Sequence, residues 1–305
     1  MLQCSTFETA TDFFHEVIQC CSRRAQRAHG APVLDPRYRP PELSFRTVRG
    51  REYRVAHWRA NADTGAPPLL FFTGIGASIE LLTPFLEMVG GRDIVTFDVP
   101  GIGMSPPAKW PYRPRKIAKT ADAILRQLGF TGPVDVMGVS WGGMMAQQYA
   151  KTFRRKTRSL ILAATTAGFF MVPPRWSALK HMSEPRRHVD PAYIRQHMEE
   201  LYGGRTEELP DFFAGAMPPT RKGYFHQLLA IWGWTSLWFL PFLKVRTLIL
   251  TGEDDRLVPL PNGYILRALI PGAKLEILPG EGHLFLLTER ERMVGRVEEF
   301  LDAPG

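Results

Sequence analysis

Apolar positions along the chain fall into three successive rhythms. Over residues 6–27, Phe7, Phe13, Phe14, Val17, Ile18 and Cys21 form a broad stripe at helical spacing, which predicts an amphipathic helix. A Gly/Pro-rich linker follows at 29–41. Two strands are then expected at 43–48 and 53–58, with Arg49-Gly50 as the hairpin turn between them. From there the pattern changes to short, unbroken apolar runs at 69–72, 94–97, 134–137 and 160–163. Helical patterns at 117–128 and 141–153 separate the last three. Strands of a parallel sheet covered on both faces read this way, because neither face alternates with polar residues. The rhythm stops near Gly168, resumes at 247–250 and 275–278, and ends on a helix predicted over 289–301.

The interruption, 169–243, has no such strands. It holds fourteen aromatic residues, among them four of the seven Trp. It is expected to be a mostly helical insertion over the carboxyl edge of the sheet, where open α/β folds place their ligands. The expected organisation is therefore an N-terminal extension and linker at 1–42, one α/β core at 43–168 and 244–305, and a helical cap at 169–243.

Composition narrows the classes of function. The chain has 305 residues, 45% of them hydrophobic and 22% charged, with 27 Gly and 26 Pro, as suits a globular protein rich in turns. No run approaches the ~18 to 20 apolar residues of a membrane span. Glu8, Asp12, His15 and Glu16 lie where an export signal would be basic and then apolar, so a cytoplasmic protein is expected. Cys4, Cys20 and Cys21 give neither a disulfide framework nor a zinc-ligand spacing. The net charge of +8 gathers around residues 22–58 and 151–190, yet no nucleic-acid-binding motif accompanies it, and no nucleic-acid partner is expected.

Chemistry concentrates at the ends of the predicted strands. Gly138-Val139-Ser140-Trp141-Gly142 follows one strand and opens a helix, the context in which G-x-S-x-G is a nucleophile elbow. A serine hydroxyl needs a base to take its proton. His283, in the loop between the last strand and the last helix, is the histidine placed for that role. The acid that orients the base should lie between them in chain order, on Gly252-Glu253-Asp254-Asp255, and from the residues alone Asp254 and Asp255 both qualify. Backbone N–H groups must stabilise the oxyanion. One is that of Trp141, and the other should come from the loop Thr73-Gly74-Ile75-Gly76-Ala77. Asp98 is expected to be structural, bonding loop backbone beside the site. No cluster of His, Cys, Asp or Glu has metal-ligand spacing, so neither metal nor cofactor is expected.

Together these features resemble the α/β-hydrolase superfamily across about residues 43–301. That superfamily's acid motif, G-x-x-D-x-x-x-P, falls on Gly252, Asp255 and Pro259 and so favours Asp255. The resemblance is closer still to intracellular poly(3-hydroxyalkanoate) depolymerases that act on medium-chain-length polymer. It is carried by FFTGIGASIELL from Phe71, FDVPGIG from Phe97, GVSWGGMMAQQ from Gly138, GYFHQLLAIWGWTS from Gly223 and GHLFLL from Gly282. It implies a catalytic triad of Ser140, Asp255 and His283, with Ile75 and Trp141 as oxyanion donors. It also implies a hydrophobic storage polyester as substrate and association with the storage-granule surface. At least one of the cap rings Trp232, Trp234 and Trp238 is expected to line the substrate path. A general carboxylesterase or lipase, a C–C bond hydrolase and a non-catalytic binding protein on the same fold are the alternatives.

Overall fold

The computed structural model describes residues 40–60, 64–182, 193, 196–205 and 215–303. The helix expected at 6–27 lies outside them. Eight strands form one sheet: β1 (Glu42–Val48), β2 (Arg51–Trp58), β3 (Leu69–Phe72), β4 (Ile94–Phe97), β5 (Val134–Val139), β6 (Thr157–Ala163), β7 (Arg246–Gly252) and β8 (Lys274–Leu278). Their order is β1-β2-β4-β3-β5-β6-β7-β8. The β1–β2 and β2–β4 pairs are antiparallel and the other five are parallel. The hairpin turns at Arg49 and Gly50, both with positive φ (52° and 72°), as the right-handed twist of two-residue hairpins requires.

Alternation along each strand divides the core between the two faces. Leu69, Phe71, Met137, Ile161 and Leu250 join one buried cluster, which α9 (Arg290–Asp302) covers with Met293, Val297 and Leu301. Leu70, Phe72, Val136, Leu160 and Ile249 join the other, under α2 (Pro114–Gln127) and α3 (Trp141–Thr152). In α2 the proline stands at the first helical position, where its missing N–H costs nothing, and Ile117, Ala118, Ala121, Ile124 and Leu125 make the buried stripe.

Two core helices have no counterpart in the apolar pattern: α1 (Ile79–Leu86) and α7 (Pro261–Leu269). A proline at position 84 inside α1 argues against a helix, yet five of its eight residues are buried and tertiary packing overrides the local cost. A short α8 (Phe285–Thr288) precedes α9.

Between β6 and β7 the described residues hold α4 (Trp176–Met182), α5 (Met198–Tyr202) and α6 (Arg221–Ile231) and no strand longer than the isolated bridge Gly168–Thr235. Cap and core touch backbone to backbone. A Cβ at Gly223 of α6 would lie 2.3 Å from the carbonyl oxygen of Gly101, and one at Gly203, after α5, 1.9 Å from that of Asp254.

Candidate active site

Ser140 occupies the turn from β5 into α3 with φ 56° and ψ −120°, a conformation costly for any residue with a side chain. Its neighbours hold it there. The Ser140 N–H donates to Ala163 O at 2.9 Å, and its carbonyl accepts from Gly143 N–H at 3.0 Å and from the Thr165 hydroxyl at 2.6 Å. The turn is tight enough that a Cβ at Gly138 would stand 2.2 Å from Gly142 O, and one at Gly142 would stand 2.1 Å from Phe72 O. The two flanking glycines of the motif are thus steric requirements. Ser140 itself is half-buried.

Asp255 and His283 meet across the ends of β7 and β8. Asp255 Oδ2 lies 2.8 Å from His283 Nδ1, while its Oδ1 accepts from the N–H groups of Leu257 (2.9 Å) and Val258 (2.7 Å). Both side chains are buried. A carboxylate so occupied cannot rotate away, and it fixes the imidazole with the proton on Nδ1 and the lone pair on Nε2. Asp254, by contrast, is exposed, and its N–H donates to Glu281 O at 2.9 Å. Of the two aspartates that the residues alone leave open, Asp255 is the one in contact with the histidine.

The His283 loop is held from three sides. Its N–H donates to Tyr202 O at 2.8 Å, and the Tyr202 ring lies nearly parallel to the imidazole (16°, centroids 6.3 Å apart). Glu281, fully buried, accepts from Arg205 at 3.0 and 2.5 Å and from the Thr288 hydroxyl at 2.9 Å.

In the loop after β3, Gly74 O accepts from Ala77 N–H at 3.3 Å and Gly76 N–H donates to the Gln227 side-chain oxygen at 2.8 Å. Because N–H and C=O of a trans peptide point in opposite directions, the first bond turns the Ile75 N–H away from Ala77. Neither that N–H nor the Trp141 N–H finds an acceptor among the described residues. Gln227, on α6, has no exposed surface. Its own carbonyl accepts from the Trp141 indole N–H at 3.0 Å, so one cap residue binds both segments that carry the candidate oxyanion donors. Gln227 belongs to no catalytic motif in the sequence, although it lies in the stretch from Gly223 that resembles the depolymerases.

Asp98 is structural, as expected. Its carboxylate accepts from Ile79 N–H (3.0 Å), Met104 N–H (3.4 Å) and Arg54 (3.4 Å), tying the start of α1 to the loop after β4. Burial pushes its carboxyl up to about 7, against the pull of Arg54.

The three cap tryptophans have different surroundings. Trp234 is half-buried and donates its indole N–H to Gln148 of α3 at 3.0 Å. Trp238 lies under Lys151, near the far end of α3. Eleven residues separate Lys151 from Ser140, roughly 16 Å along the helix. Trp232 is 69% exposed and meets Phe169 edge-on at 5.5 Å; Phe169 in turn meets Phe170 at 5.4 Å.

Among the described residues no helix is long and apolar enough to cross a membrane. The profile of a family described as "Alpha/beta hydrolase family" matches residues 69–296. A poly(3-hydroxyalkanoate) depolymerase of Ectopseudomonas oleovorans is 39% identical over 270 residues, which cover 86% of this chain and 94% of that one. A 2-hydroxymuconate semialdehyde hydrolase of Pseudomonas putida is 27% identical over 280 residues, covering 83% and 94%. Among solved structures, an esterase of Exiguobacterium antarcticum has the same fold, with a TM-score of 0.74 at 20% identity over 86% of this chain and all of the other.

Proposed function

The chain belongs to the alpha/beta hydrolase family, and from that premise we propose that it cleaves esters through an acyl-enzyme on Ser140, with a polyester of 3-hydroxy fatty acids as its substrate. The observation that carries the reaction is the buried Asp255–His283 pair beyond the ends of β7 and β8, on the same edge of the parallel sheet as Ser140 at the end of β5. With Nδ1 committed to Asp255, Nε2 is the nitrogen left to take the Ser140 proton as Oγ attacks the ester carbonyl. The Ile75 and Trp141 N–H groups receive the oxyanion. The tetrahedral intermediate collapses by breaking the bond to the alkoxy oxygen, and His283 gives that oxygen its proton. Water then attacks the acyl-Ser140 by the same path, releasing the acid.

The substrate class is supported by the 39% identity to the depolymerase, which runs through the cap as well as the core, and by the exposed rings of Phe169, Phe170 and Trp232. We propose the medium-chain-length polymer, reached at the surface of cytoplasmic storage granules. The domain division at 43–168, 169–243 and 244–305 belongs to the same proposal. A serine-directed fluorophosphonate should label the wild type and not Ser140→Ala, which should fold and lose roughly 10³-fold or more in turnover. Turbidity clearing of medium-chain polymer, set beside short-chain polymer and p-nitrophenyl esters, tests the substrate. Hydrolysis of the small esters with no clearing of either polymer would reject the polyester and leave a general carboxylesterase.

A further inference from the structure

Away from the triad, the cap brings together three side chains whose spacing in the chain announces nothing. His181 lies in the last turn of α4, His197 immediately before α5 and Glu200 in the first turn of α5. One ligating atom from each lies within 4.8 Å of the other two. His197 and Glu200 are three residues apart and share a helix face, while His181 comes from a separate helix.

The nitrogens not aimed at one another are already committed. His197 Nδ1 lies 2.9 Å from the backbone carbonyl of Tyr193, which can only accept, so the proton is on Nδ1 and Nε2 carries the lone pair. His181 Nδ1 lies 2.7 Å from the Tyr193 hydroxyl, and its Nε2 lies 2.5 Å from Glu200 Oε2. The His197 ring packs against both Tyr193 and His181, with centroids 4.3 Å away in each case, and those two rings are themselves 5.9 Å apart. Metal-binding histidines are oriented in this way, each fixed through its second nitrogen by a neighbouring carbonyl or hydroxyl.

We propose that His181 Nε2, His197 Nε2 and Glu200 Oε2 form a site for one divalent transition-metal ion, of which zinc fits best, and that the ion clamps α4 to α5. Two imidazoles and a carboxylate are a donor set for zinc, with a fourth position left to water. Tetrahedral zinc holds neighbouring ligand atoms roughly 3.3 Å apart at metal–nitrogen distances near 2.0 to 2.1 Å. The His181–Glu200 pair, now 2.5 Å apart, opens to that spacing by rotating Glu200, whose side chain is 53% exposed, so that the ion takes the place of the hydrogen between them. The clamp would bear on the chemistry indirectly. α5 ends at Tyr202, whose carbonyl holds the His283 N–H, and Glu199 beside the site pairs with Arg256 of the acid loop at 3.3 Å. The ion would thereby steady the loop that carries the base without touching the substrate. This inference does not depend on which ester is cleaved.

Calorimetric titration of Zn²⁺ into the chelator-stripped full chain at pH 7.5, with thermal melting in parallel, tests the site. The expected result is one saturable equivalent lost in His197→Ala and weakened at least tenfold in Glu200→Gln. Melting should rise by roughly 5 °C at a hundredfold excess over Kd. Glu200→Gln keeps a hydrogen-bond acceptor at an exposed position, so its fold and its melting in chelator should match the wild type. Co²⁺ in place of zinc should give the visible absorption of a tetrahedral N/O site, absent in His197→Ala and reached only at higher Co²⁺ in Glu200→Gln. No saturable zinc binding would overturn the proposal. So would binding that keeps its affinity and thermal shift in His181→Ala/His197→Ala, because the ion would then sit elsewhere on the chain.

Discussion

At the scale of single residues, the site rests on pairs of adjacent positions whose roles are opposite. Asp255 is buried against His283 and two backbone N–H groups, while Asp254, one residue earlier, faces solvent. Replacing Asp255 with Asn puts an amide where the imidazole N–H needs an acceptor, which permits the wrong tautomer and should reduce kcat by on the order of 10⁴-fold. Asp254→Asn should change kcat by less than about threefold, since an exposed side chain of that kind has little energetic weight. Steady-state kinetics on one soluble ester, with melting points alongside, separates the two. A severe loss at Asp254 with a mild one at Asp255 would reverse the assignment. What a reader of the sequence could see here was the G-x-x-D-x-x-x-P spacing. The reason behind it was hidden: the peptide N–H groups of Leu257 and Val258 turn back onto the carboxylate only once β7 and its loop have folded.

At the scale of elements, strands were far more legible than helices. The buried runs of β3 and β4 coincide with the expected segments, because a strand covered on both faces must be apolar throughout. β5 and β6 extend two and three residues beyond theirs at one end and β7 one and two residues at its two ends, where Gly138, Thr157 and Gly252 still pair though they break the apolar pattern. α1 and α7 were not legible, since a proline inside one and a Pro-Asn-Gly start in the other read as loop, and only packing makes them helices. α6 shows what sequence order cannot convey. Its Gln227 binds Gly76, 151 residues away in the chain, and Trp141, 86 residues away, so it can be understood only in three dimensions. With Gly76 N–H held by Gln227 and Gly74 O held by Ala77, both peptides flanking Ile75 are fixed, and the Ile75 N–H is preorganised. Gln227→Met preserves bulk but removes the acceptor. It should lower kcat roughly tenfold to a hundredfold with KM nearly unchanged, if the Ile75 N–H that the bond positions receives the oxyanion as proposed. Gln227→Glu, which keeps the acceptor, should recover part of the loss. Equal changes in kcat and KM for both variants, tracking their melting points, would reduce Gln227 to a packing residue.

At the scale of the whole molecule, the proposed substrate raises the question of how a chain with a net charge of +8 would meet an apolar polymer. Phe169, Phe170 and Trp232 are 49%, 66% and 69% exposed and form one edge-to-face group, whereas Trp234 is hydrogen-bonded to α3 and Trp238, though 63% exposed, stands apart from that group with Lys151 over its ring. The exposed group joins the two ends of the cap, since Phe169 follows the bridge from Gly168 to Thr235 and Trp232 closes α6, five residues beyond Gln227. Rings that pack a cap onto a sheet are covered by it; rings left in water at the end of a site-binding helix are available to long alkyl chains. Binding energy gained along such chains benefits only substrates that have them. Trp232→Ala should therefore reduce kcat/KM on octanoate and decanoate esters and on medium-chain polymer by roughly tenfold, consistent with ~1.5 kcal/mol for the apolar surface of a large side chain. Activity on acetate esters should stay within about twofold, the size of the chain-independent change expected at a surface position. Trp234→Ala serves as the contrast. Its loss of the Gln148 hydrogen bond and of core packing should lower the melting temperature and reduce activity evenly across chain lengths. A Trp232 variant whose loss is likewise even would mean that the polymer meets the protein elsewhere, and that the aromatic group on the cap has no part in choosing the substrate.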